Sequence, residues 1–420
     1  MIETFEIYPG VMLRCFPDTR FKQGCLSIQF VRPMCREEAA MNALLPAVLL
    51  RGCQSSPDLR SITQRLDDLY GAAVGTMVRR IGDYHSTGLS CSFIDDAYAL
   101  AGDRILEPML QFLGELLFSP VLEDGVFCRR YVESEKKNLI AAIESQRNDK
   151  RAYASSQMYK KMCSADSFGI PRLGEKEQVE AITPDALYRH YGKLLSQSRV
   201  EIFYVGTAQP PLIARLMEKL FGGIDRNYVN LPVQTGFRDG GKGEYTEVLD
   251  VAQGKLCMGF VTPITTRDAD FVTMQVLNTV YGAGMTSKLF MQVREAQSLC
   301  YDIGSGYQGS KGILSVFAGI DFGEEERVKG EVLRLLEECQ AGNITDEELT
   351  AAKQALISQL QGTHDSPGSI ESYYASAALS GLRHTPESYI RAVEEVTVSD
   401  VARAAQSLQL HTVYFLRGEC

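Results

Sequence analysis

Closely spaced metal ligands are missing from this sequence. Its five histidines, at positions 85, 190, 364, 384 and 411, each lie at least twenty residues from the next. Zinc sites usually take two ligands from one local segment, such as histidines four residues apart on one helix face. The histidine spacing therefore gives no support to a zinc site.

Cysteine pairs are missing as well. The sequence has eleven cysteines, and no two of them lie closer than ten residues, so it contains no Cys-x-x-Cys motif. An odd and dispersed set is typical of reduced thiols that pack as small apolar side chains in a reducing compartment. We therefore predict a cytoplasmic protein without a disulfide framework.

Signals for membranes and nucleic acids are also missing. No apolar run approaches the roughly 18 residues that a membrane span needs. The first ten residues, MIETFEIYPG, carry acidic side chains and lack the basic and apolar regions of a secretory signal. The formal net charge is −10, from 43 basic and 53 acidic residues, which disfavours nucleic acid. We expect neither a membrane nor a nucleic-acid partner.

What the sequence does contain is an internal repeat. The segments KQGCLSIQFVRP (22–33) and AQGKLCMGFVTP (252–263) share six of twelve residues at a constant offset of 230. Each alternates apolar and polar positions after a glycine turn and ends in proline, as a half-buried strand does. A chain of 420 residues is too long for one core. The repeat therefore predicts two homologous halves.

The similarity extends along both halves. Residues 135–149 resemble 351–365, and residues 182–207 resemble 396–419. In the latter pair a Thr or Ser cap opens a helix, and an apolar strand follows and ends at a glycine. We predict an α+β fold in which each half is a mostly antiparallel sheet with helices packed on one face.

The predicted domain bounds follow from the repeat. A segment rich in Gly, Asn and Asp, without helical periodicity, lies between the halves. We predict an N-terminal domain over 1–220, a linker over 221–245 and a C-terminal domain over 246–420. Within the first half, apolar spacing predicts long core helices over 103–118 and 127–146.

The most distinctive segment is YGAGMTSKLFMQVREAQSLCYDIGSGY (281–307). A glycine turn leads through Thr and Ser into a predicted helix, and a strand is predicted from about Tyr301. On spacing alone, Arg294 beside Glu295 is typical of a solvated helix face, and Tyr301 is an ordinary strand residue. The residue types alone therefore do not define a site.

The segment nevertheless resembles the second-half signature of the M16 family of zinc peptidases. In that signature a Gly-Gly-Gly-Met-Ser-Ser-Arg-Leu-Phe run leads to Arg-Glu and, seven residues past the arginine, to a tyrosine. The matching positions here are Gly282, Gly284, Met285, Ser287, Leu289, Phe290, Arg294, Glu295 and Tyr301. The two-half repeat matches the family too, so the resemblance covers the whole chain. It implies two α/β-roll halves of the metallohydrolase type.

The resemblance implies a substrate-binding role for Arg294 and Tyr301. In the family this pair reaches toward the zinc site of an opposing half and holds the peptide backbone. A guanidinium and a phenol can donate hydrogen bonds to a carbonyl where negative charge develops during hydrolysis.

The resemblance also shows where the zinc ligands of the active members would lie. Their His-x-x-Glu-His motif is followed by Met-Leu-Phe-Lys-Gly, which aligns with VLLRG (48–52). The first histidine then falls on Ala43, the catalytic glutamate on Pro46 and the second histidine on Ala47. The third ligand, a glutamate, falls on Ala142. Since none of the four can ligate or take a proton, we expect no zinc and no catalytic residues in this chain.

Pro46 carries a further expectation about local structure. Proline inside a helix costs about 3 kcal/mol, because it removes a hydrogen bond and crowds the preceding turn. We therefore predict a bent or shortened helix over 41–52 that covers an apolar plug.

Three functions remain open at this point. The first is a non-catalytic subunit that offers Arg294 and Tyr301 to an unfolded peptide, with zinc held only by an active M16 partner that has an intact His-x-x-Glu-His motif. The second is a stand-alone peptide-binding or scaffold homodimer without peptidase activity. The third, an enzyme with relocated chemistry, ranks last because no nucleophile elbow or Cys–His signature is present.

Overall fold

A computed structural model of the chain describes residues 2–100, 102–231 and 236–419. The chain divides into two compact units, and each unit contains one large sheet. Unit 1 comprises Met1–Ile143, Pro171–Val233 and His364–Ser376, and unit 2 comprises Glu144–Ile170, Gln234–Thr363 and Ala377–Cys420. Both units therefore draw on both halves of the sequence.

Unit 1 is built on a six-stranded sheet of order β1-β2-β8-β3-β5-β4. Its strands are β1 (Glu3–Tyr8), β2 (Val11–Pro17), β3 (Gln23–Pro33), β4 (Ala73–Ile81), β5 (Tyr84–Ile94) and β8 (Arg199–Gly206), and a hairpin of β6 (Leu122–Glu123) and β7 (Val126–Phe127) stands apart. Within the large sheet β2 and β8 pair in parallel, and the other neighbouring strands pair antiparallel.

The helices of unit 1 pack mainly on one face of this sheet. They are α1 (Arg36–Leu49), α2 (Leu59–Asp68), α3 (Leu106–Phe118), most of α4 (Arg129–Gln146), α6 (Lys176–Glu180), α7 (Pro184–Gln197) and α8 (Pro210–Phe221). Leu26, Ile28 and Phe30 of β3 point into the core shared with these helices. Burial of such side chains stabilises the unit by about 1.5–3 kcal/mol each.

The opposite face of β3 is polar and also covered. Ser27 and Gln29, which alternate with the core residues, are buried and both donate to Glu371 Oε1 at 2.8 Å. Arg79 of β4 pairs with the same carboxylate at 2.9–3.0 Å. Glu371 belongs to α12 (Pro367–Ser380), whose first residues are part of unit 1. A helix from late in the sequence thus covers the second face through hydrogen bonds.

Unit 2 repeats this plan around a five-stranded sheet of order β11-β12-β10-β13-β9. Its strands are β9 (Gly243–Val248), β10 (Gly254–Val261), β11 (Asp302–Gln308), β12 (Ile313–Ile320) and β13 (Gln409–Arg417). All pairs are antiparallel except β13 with β9. The repeated segments of the sequence become β3 and β10, and each lies between two partner strands.

As in unit 1, where α12 covers the second face, helices of unit 2 lie on both faces of the sheet. They are α5 (Lys150–Met162), α9 (Phe271–Tyr281), α10 (Glu325–Gln340), α11 (Asp346–Gln361), α13 (Pro386–Glu395) and α14 (Val398–Gln406), with a π-helix over Leu289–Ala296. Helix α5 comes from the first half of the sequence and packs on the sheet near Gly259, where an added Cβ would meet Met162 Sδ at 2.6 Å. A side chain at this position would therefore displace the methionines of α5.

A buried ion pair holds the segment that follows α5. Lys311 Nζ lies 2.8 Å from Asp166 Oδ2, and neither side chain is exposed. Asp166 also accepts from the backbone N–H groups of Phe168 and Arg238. Burial alone would raise the pKa of Asp166, but the hydrogen bond from Lys311 and these N–H groups lower it.

The α+β class and the mostly antiparallel sheets are confirmed, and the structure adds a helix to the second face of each sheet. The domain bounds 1–220, 221–245 and 246–420 describe halves of the sequence and stay a prediction, since the compact units follow a different division. Among the described residues, no helix is both long and apolar enough to cross a bilayer.

Candidate functional site

Helix α1 carries three of the four predicted zinc positions, in unit 1. Ala and Leu dominate its sequence, and Glu37 and Glu38 in its first turn favour the helix dipole. Ala43 is 7% exposed, Pro46 is buried and Ala47 is half-buried. This part of the helix is thus apolar and mostly covered.

The helix is not shortened at Pro46; shortening was one of the two outcomes expected from the sequence, and a bend at the proline stays a prediction. It continues to Leu49, and the N–H of Leu50 still bonds the Pro46 carbonyl. Pro46 has no N–H to offer the carbonyl of Asn42, four residues earlier. The hydroxyl of Thr87 on β5 donates to that carbonyl instead, at 2.6 Å. A neighbouring strand therefore supplies the hydrogen bond that proline removes.

The fourth predicted zinc position does not complete a metal site. Ala142 is exposed on α4, and the side chains at 43, 46, 47 and 142 offer no donor atom. Within the part of the chain that the structure describes, no group of three His, Cys, Asp or Glu residues could hold a metal ion. The residues at these positions therefore do not fit the zinc of the active family members.

Helix α1 also buries two polar side chains, Glu38 and Asn42, which the sequence did not indicate. Asn42, 1% exposed, lies between two buried histidines. Its Nδ2 donates to His85 Nδ1 at 3.2 Å, and its Oδ1 accepts from His190 Nε2 at 2.7 Å. In this orientation of the amide, His85 accepts at Nδ1 and His190 donates from Nε2.

Burial favours the neutral form of both histidines. Burial lowers the pKa of His85 from 6.5 to about 4, with Arg172 and Arg80 adding to the effect. Burial likewise lowers the pKa of His190 to about 4. With their rings committed to one asparagine, the two histidines brace α1 against β5 and α7.

Glu38 lies one turn before Asn42 and forms ion pairs. Arg32 Nε donates to it at 2.6 Å, and Lys193 Nζ donates at 2.5 Å. Burial alone would raise the pKa of Glu38, yet these two donors lower it to about 2. Glu38 and Asn42 are therefore both held by ion pairs or hydrogen bonds, and the Glu38 carboxylate is committed to Arg32 and Lys193.

Sequence reasoning missed this network because its members are far apart in the chain. His190 lies 148 residues from Asn42, and His85 lies 43 residues from it. The only local signal is the four-residue spacing of Glu38 and Asn42, which places both on one face of a helix. That signal is too common to predict a site.

The second candidate region is the segment 281–307 in unit 2. The predicted helix forms as a π-helix over Leu289–Ala296, a wider turn that is frequent at functional sites. Leu289 and Val293 are fully buried and fix one side of it. Ser298, with φ of 52°, ends the turn, and the N–H of Leu299 bonds the Val293 carbonyl.

The base of this segment is tightly packed. An added Cβ at Gly282 would lie 2.5 Å from Ser305 Oγ, so only glycine fits there. Ser305 bonds back through its N–H to the Gly282 carbonyl and through Oγ to Asn278 Oδ1. Lys288, 4% exposed, pairs with Glu348 at 2.9 Å. The segment is thus a rigid support.

The support presents Arg294 to solvent. Its side chain is 39% exposed, and its guanidinium carbon lies 4.6 Å from the centre of the Phe290 ring. Nη1 lies 3.2 Å from the carboxylate of Glu295. Stacking on Phe290 restricts the guanidinium, and the exposed side chain can be reached from solvent.

Tyr301 is presented in the same way, just before β11. Tyr301 is 63% exposed, and its backbone N–H donates to the Gly319 carbonyl at 2.8 Å. The hydroxyl makes one long hydrogen bond, 3.4 Å, to Asp321 Oδ1. Exposed Met285 and Met291 lie on the same segment. Such an arrangement can donate to a carbonyl, and its flexible apolar side chains can adapt to varied partners.

Comparison with known proteins places these features in a family. Residues 181–356 match the family described as "Peptidase M16 inactive domain". The chain is 30% identical over 416 residues to a Bacillus subtilis protein named "Probable inactive metalloprotease YmfF", covering 97% of this chain and 96% of that protein.

Solved structures agree in fold. A conserved protein from Enterococcus faecalis superposes with a TM-score of 0.90 at 27% identity, covering 100% of this chain and 99% of the other. A peptidase M16 inactive domain from Pseudomonas fluorescens gives a TM-score of 0.82 at 18% identity, covering 100% and 98%. Because it matches the inactive-domain family and resembles a probable inactive metalloprotease over its full length, this chain belongs to the M16 peptidase family as a non-catalytic member.

Proposed function

We propose that this chain is the substrate-binding subunit of a two-chain M16 peptidase. An active M16 subunit with an intact His-x-x-Glu-His motif supplies the zinc and the general base. This chain supplies Arg294 and Tyr301, which hold the backbone of an unfolded peptide while the partner cleaves it.

One contrast carries the proposal. The four predicted zinc positions hold Ala43, Pro46, Ala47 and Ala142, while the segment with Arg294 and Tyr301 keeps the family pattern on a well-packed base. A guanidinium stacked on Phe290 and an exposed phenol hydroxyl are suited to donate to a peptide carbonyl. Catalytic groups are absent from this chain's zinc positions, but the binding groups are present.

The proposal includes a reducing, cytoplasmic location. The ten cysteines that the structure describes are free thiols, and most are buried. Burial raises the pKa of several of them, for example that of Cys300 to about 11, which keeps them as unreactive thiols. This pattern is typical of proteins that fold without disulfides.

The test is reconstitution with an active M16 subunit from the same organism. We expect each chain alone to cleave an unstructured fluorogenic peptide slowly or not at all, and the mixture to cleave it with chelator sensitivity. Light scattering would check that the two chains associate. A matched control replaces the glutamate of the partner's His-x-x-Glu-His motif with glutamine, which should abolish cleavage without preventing association.

Two outcomes would contradict the proposal. Robust chelator-sensitive cleavage by this chain alone would mean that it holds its own metal. A chain that forms only a homodimer, binds the peptide and never stimulates an active subunit would instead support the stand-alone peptide-binding scaffold.

A further inference from the structure

The π-helix of unit 2 is attached to the neighbouring helix α10 through side chains. Arg334 of α10 donates from Nη2 to Gln292 Oε1 at 3.0 Å. Gln297, which follows the last residue of the π-helix, donates from Nε2 to Glu331 Oε2 at 2.7 Å. Arg334 donates to the same carboxylate oxygen at 2.9 Å. One arginine–glutamate pair of α10 therefore contacts the π-helical segment at two points.

The spacing of the two glutamines fits a π-helix and not an α-helix. Gln292 and Gln297 are five residues apart. In an α-helix, with 3.6 residues per turn, residues five apart point about 140° away from each other around the axis. In a π-helix, hydrogen bonds to the fifth residue bring residues five apart close to one side. The pair of Glu331 and Arg334 can therefore bind both glutamines together while the segment stays π-helical.

The same arginine also connects to the start of the π-helix. Arg334 pairs with Glu338, one turn later on α10. Glu338 Oε2 lies 3.7 Å from Nζ of Lys288, the residue before the π-helix. The hydrogen bond from Arg334 lowers the pKa of Glu331, so that this carboxylate stays an ionised acceptor at neutral pH. Helix α10 thus contacts the segment before, within and after its π-helical residues, and Arg334 takes part in each connection.

Arg294 lies between the two glutamines in the chain. Its side chain is 39% exposed and stacks on Phe290, with 4.6 Å from the guanidinium carbon to the ring centre. The backbone that joins Gln292 to Gln297 also carries Arg294, so a change from π-helix to α-helix between them would rotate Arg294 about the helix axis. The direction in which the guanidinium points therefore depends on the helix type.

We propose that Arg334 is a positioning residue for Arg294. By binding Gln292 and Glu331 at once, Arg334 holds the segment in its π-helical form and fixes the direction of the Arg294 guanidinium. This inference rests on the proposed substrate-binding function, since Arg294 needs a fixed direction only if it binds a peptide. The Arg334 side chain is 41% exposed. Exposed ion pairs contribute little to global stability, so the effect of Arg334 is on the local helix type.

Kinetics of the reconstituted assembly test whether Arg334 acts through Arg294. Arg334→Ala should lower kcat/KM for an unstructured peptide by roughly 3- to 10-fold, divided between kcat and KM as in Arg294→Ala. The melting temperature of the chain should change by less than about 2 °C. In an Arg294→Ala background, Arg334→Ala should have no further effect. The control is Arg327→Ala on the same helix, whose partner is Glu324, and it should change neither quantity. Equal losses from Arg334→Ala in both backgrounds would overturn the proposal.

Crystal structures of the full chain alone separate this proposal from the proposed function. In Arg334→Ala the π-helical hydrogen bonds over Leu289–Ala296 should be lost. Gln297→Ala removes one attachment and should change the segment in the same way, which keeps the test available if Arg334→Ala fails to fold. A π-helix that is unchanged in the variants would overturn the positioning role. A lost π-helix, together with an unchanged kcat/KM in Arg294→Ala, would support the role of Arg334 in helix type and contradict the substrate-binding function.

Discussion

At the residue scale, Pro46 shows how a substitution in a helix can be tolerated. Proline costs stability because it leaves the carbonyl of Asn42 without its helical N–H donor. The hydroxyl of Thr87 donates to that carbonyl instead. The sequence indicated the cost but not the compensation, because Thr87 is 45 residues from Asn42. The sequence therefore predicts the hydrogen bond that Pro46 removes, but the replacement donor lies on strand β5 and can be found only in the structure.

The compensation predicts coupled stabilities. Thr87→Val should lower the free energy of unfolding by about 1–3 kcal/mol, because the Asn42 carbonyl stays buried without a partner. In a Pro46→Ala background the loss should be clearly smaller, since the introduced alanine has a backbone N–H of its own to donate to that carbonyl. Urea unfolding of the four proteins in this double-mutant cycle measures the coupling.

A matched control is Thr63→Val on α2, where the hydroxyl bonds the Leu59 carbonyl on an exposed surface. Little change is expected there. Equal losses from Thr87→Val in both backgrounds would show that Thr87 does not serve the carbonyl freed by Pro46.

The two histidines around Asn42 predict a dependence of stability on pH. Burial lowers both pKa values from 6.5 to about 4. Between these values the unfolded chain binds protons that the folded chain does not, so stability is full above pH 6.5 and falls as the pH drops toward 4. Each histidine contributes up to about 1.4 kcal/mol per pH unit.

Urea unfolding across this range tests the origin of the slope. His190→Gln keeps a donor for Asn42 Oδ1 and should remove about half of the fall. His384→Gln, in unit 2, should leave the fall intact. Glu38 affects stability at lower pH. Its pKa is lowered from 4.5 to about 2, so its contribution to stability is lost only as the pH falls below about 4.5. A slope unchanged in His190→Gln would assign the effect to other groups.

At the scale of elements, the sequence predicted the regular parts well. The helices predicted over 103–118 and 127–146 appear as α3 and α4, and the repeated strands appear as β3 and β10. Periodicity sufficed because each element has a strongly apolar side. The π-helix and the packing of α5 in unit 2 were not predicted, since both depend on contacts with residues far along the chain.

The Lys311–Asp166 pair predicts how strongly the segment after α5 is held in unit 2. Lys311→Met should lower the free energy of unfolding by about 3–5 kcal/mol, because it leaves the Asp166 carboxylate buried without its cation. Chemical unfolding monitored on unit 2 measures the loss.

The matched control is Lys329→Met, whose partner Glu244 is 58% exposed. An exposed pair contributes only about 0–1 kcal/mol, so little change is expected. Comparable losses in the two variants would show that burial does not decide the strength of the Lys311 pair.

At the scale of the whole molecule, the sequence predicted the family but not the polar network around Asn42, and the assignment of the four zinc positions stays a prediction. The residues of the family motif follow one another at fixed spacing within one short segment, so the motif can be recognised in a single sequence. The network consists of hydrogen bonds among Asn42, His85 and His190, which are far apart in the sequence and meet only in the folded chain. For the same reason, the roles of Arg294 and Tyr301 rest on the family pattern together with their exposure, and they require kinetics.

The most direct test is the kcat/KM of the reconstituted assembly for an unstructured peptide. Arg294→Ala should lower it by roughly 10- to 100-fold, and Tyr301→Phe should lower it by a smaller factor, because each removes a donor to the peptide. Arg327→Ala, an exposed arginine of the same unit, is the control and should change nothing. Subunit association should be the same in all four assemblies. A kcat/KM that is unchanged in both Arg294→Ala and Tyr301→Phe would contradict the substrate-binding role.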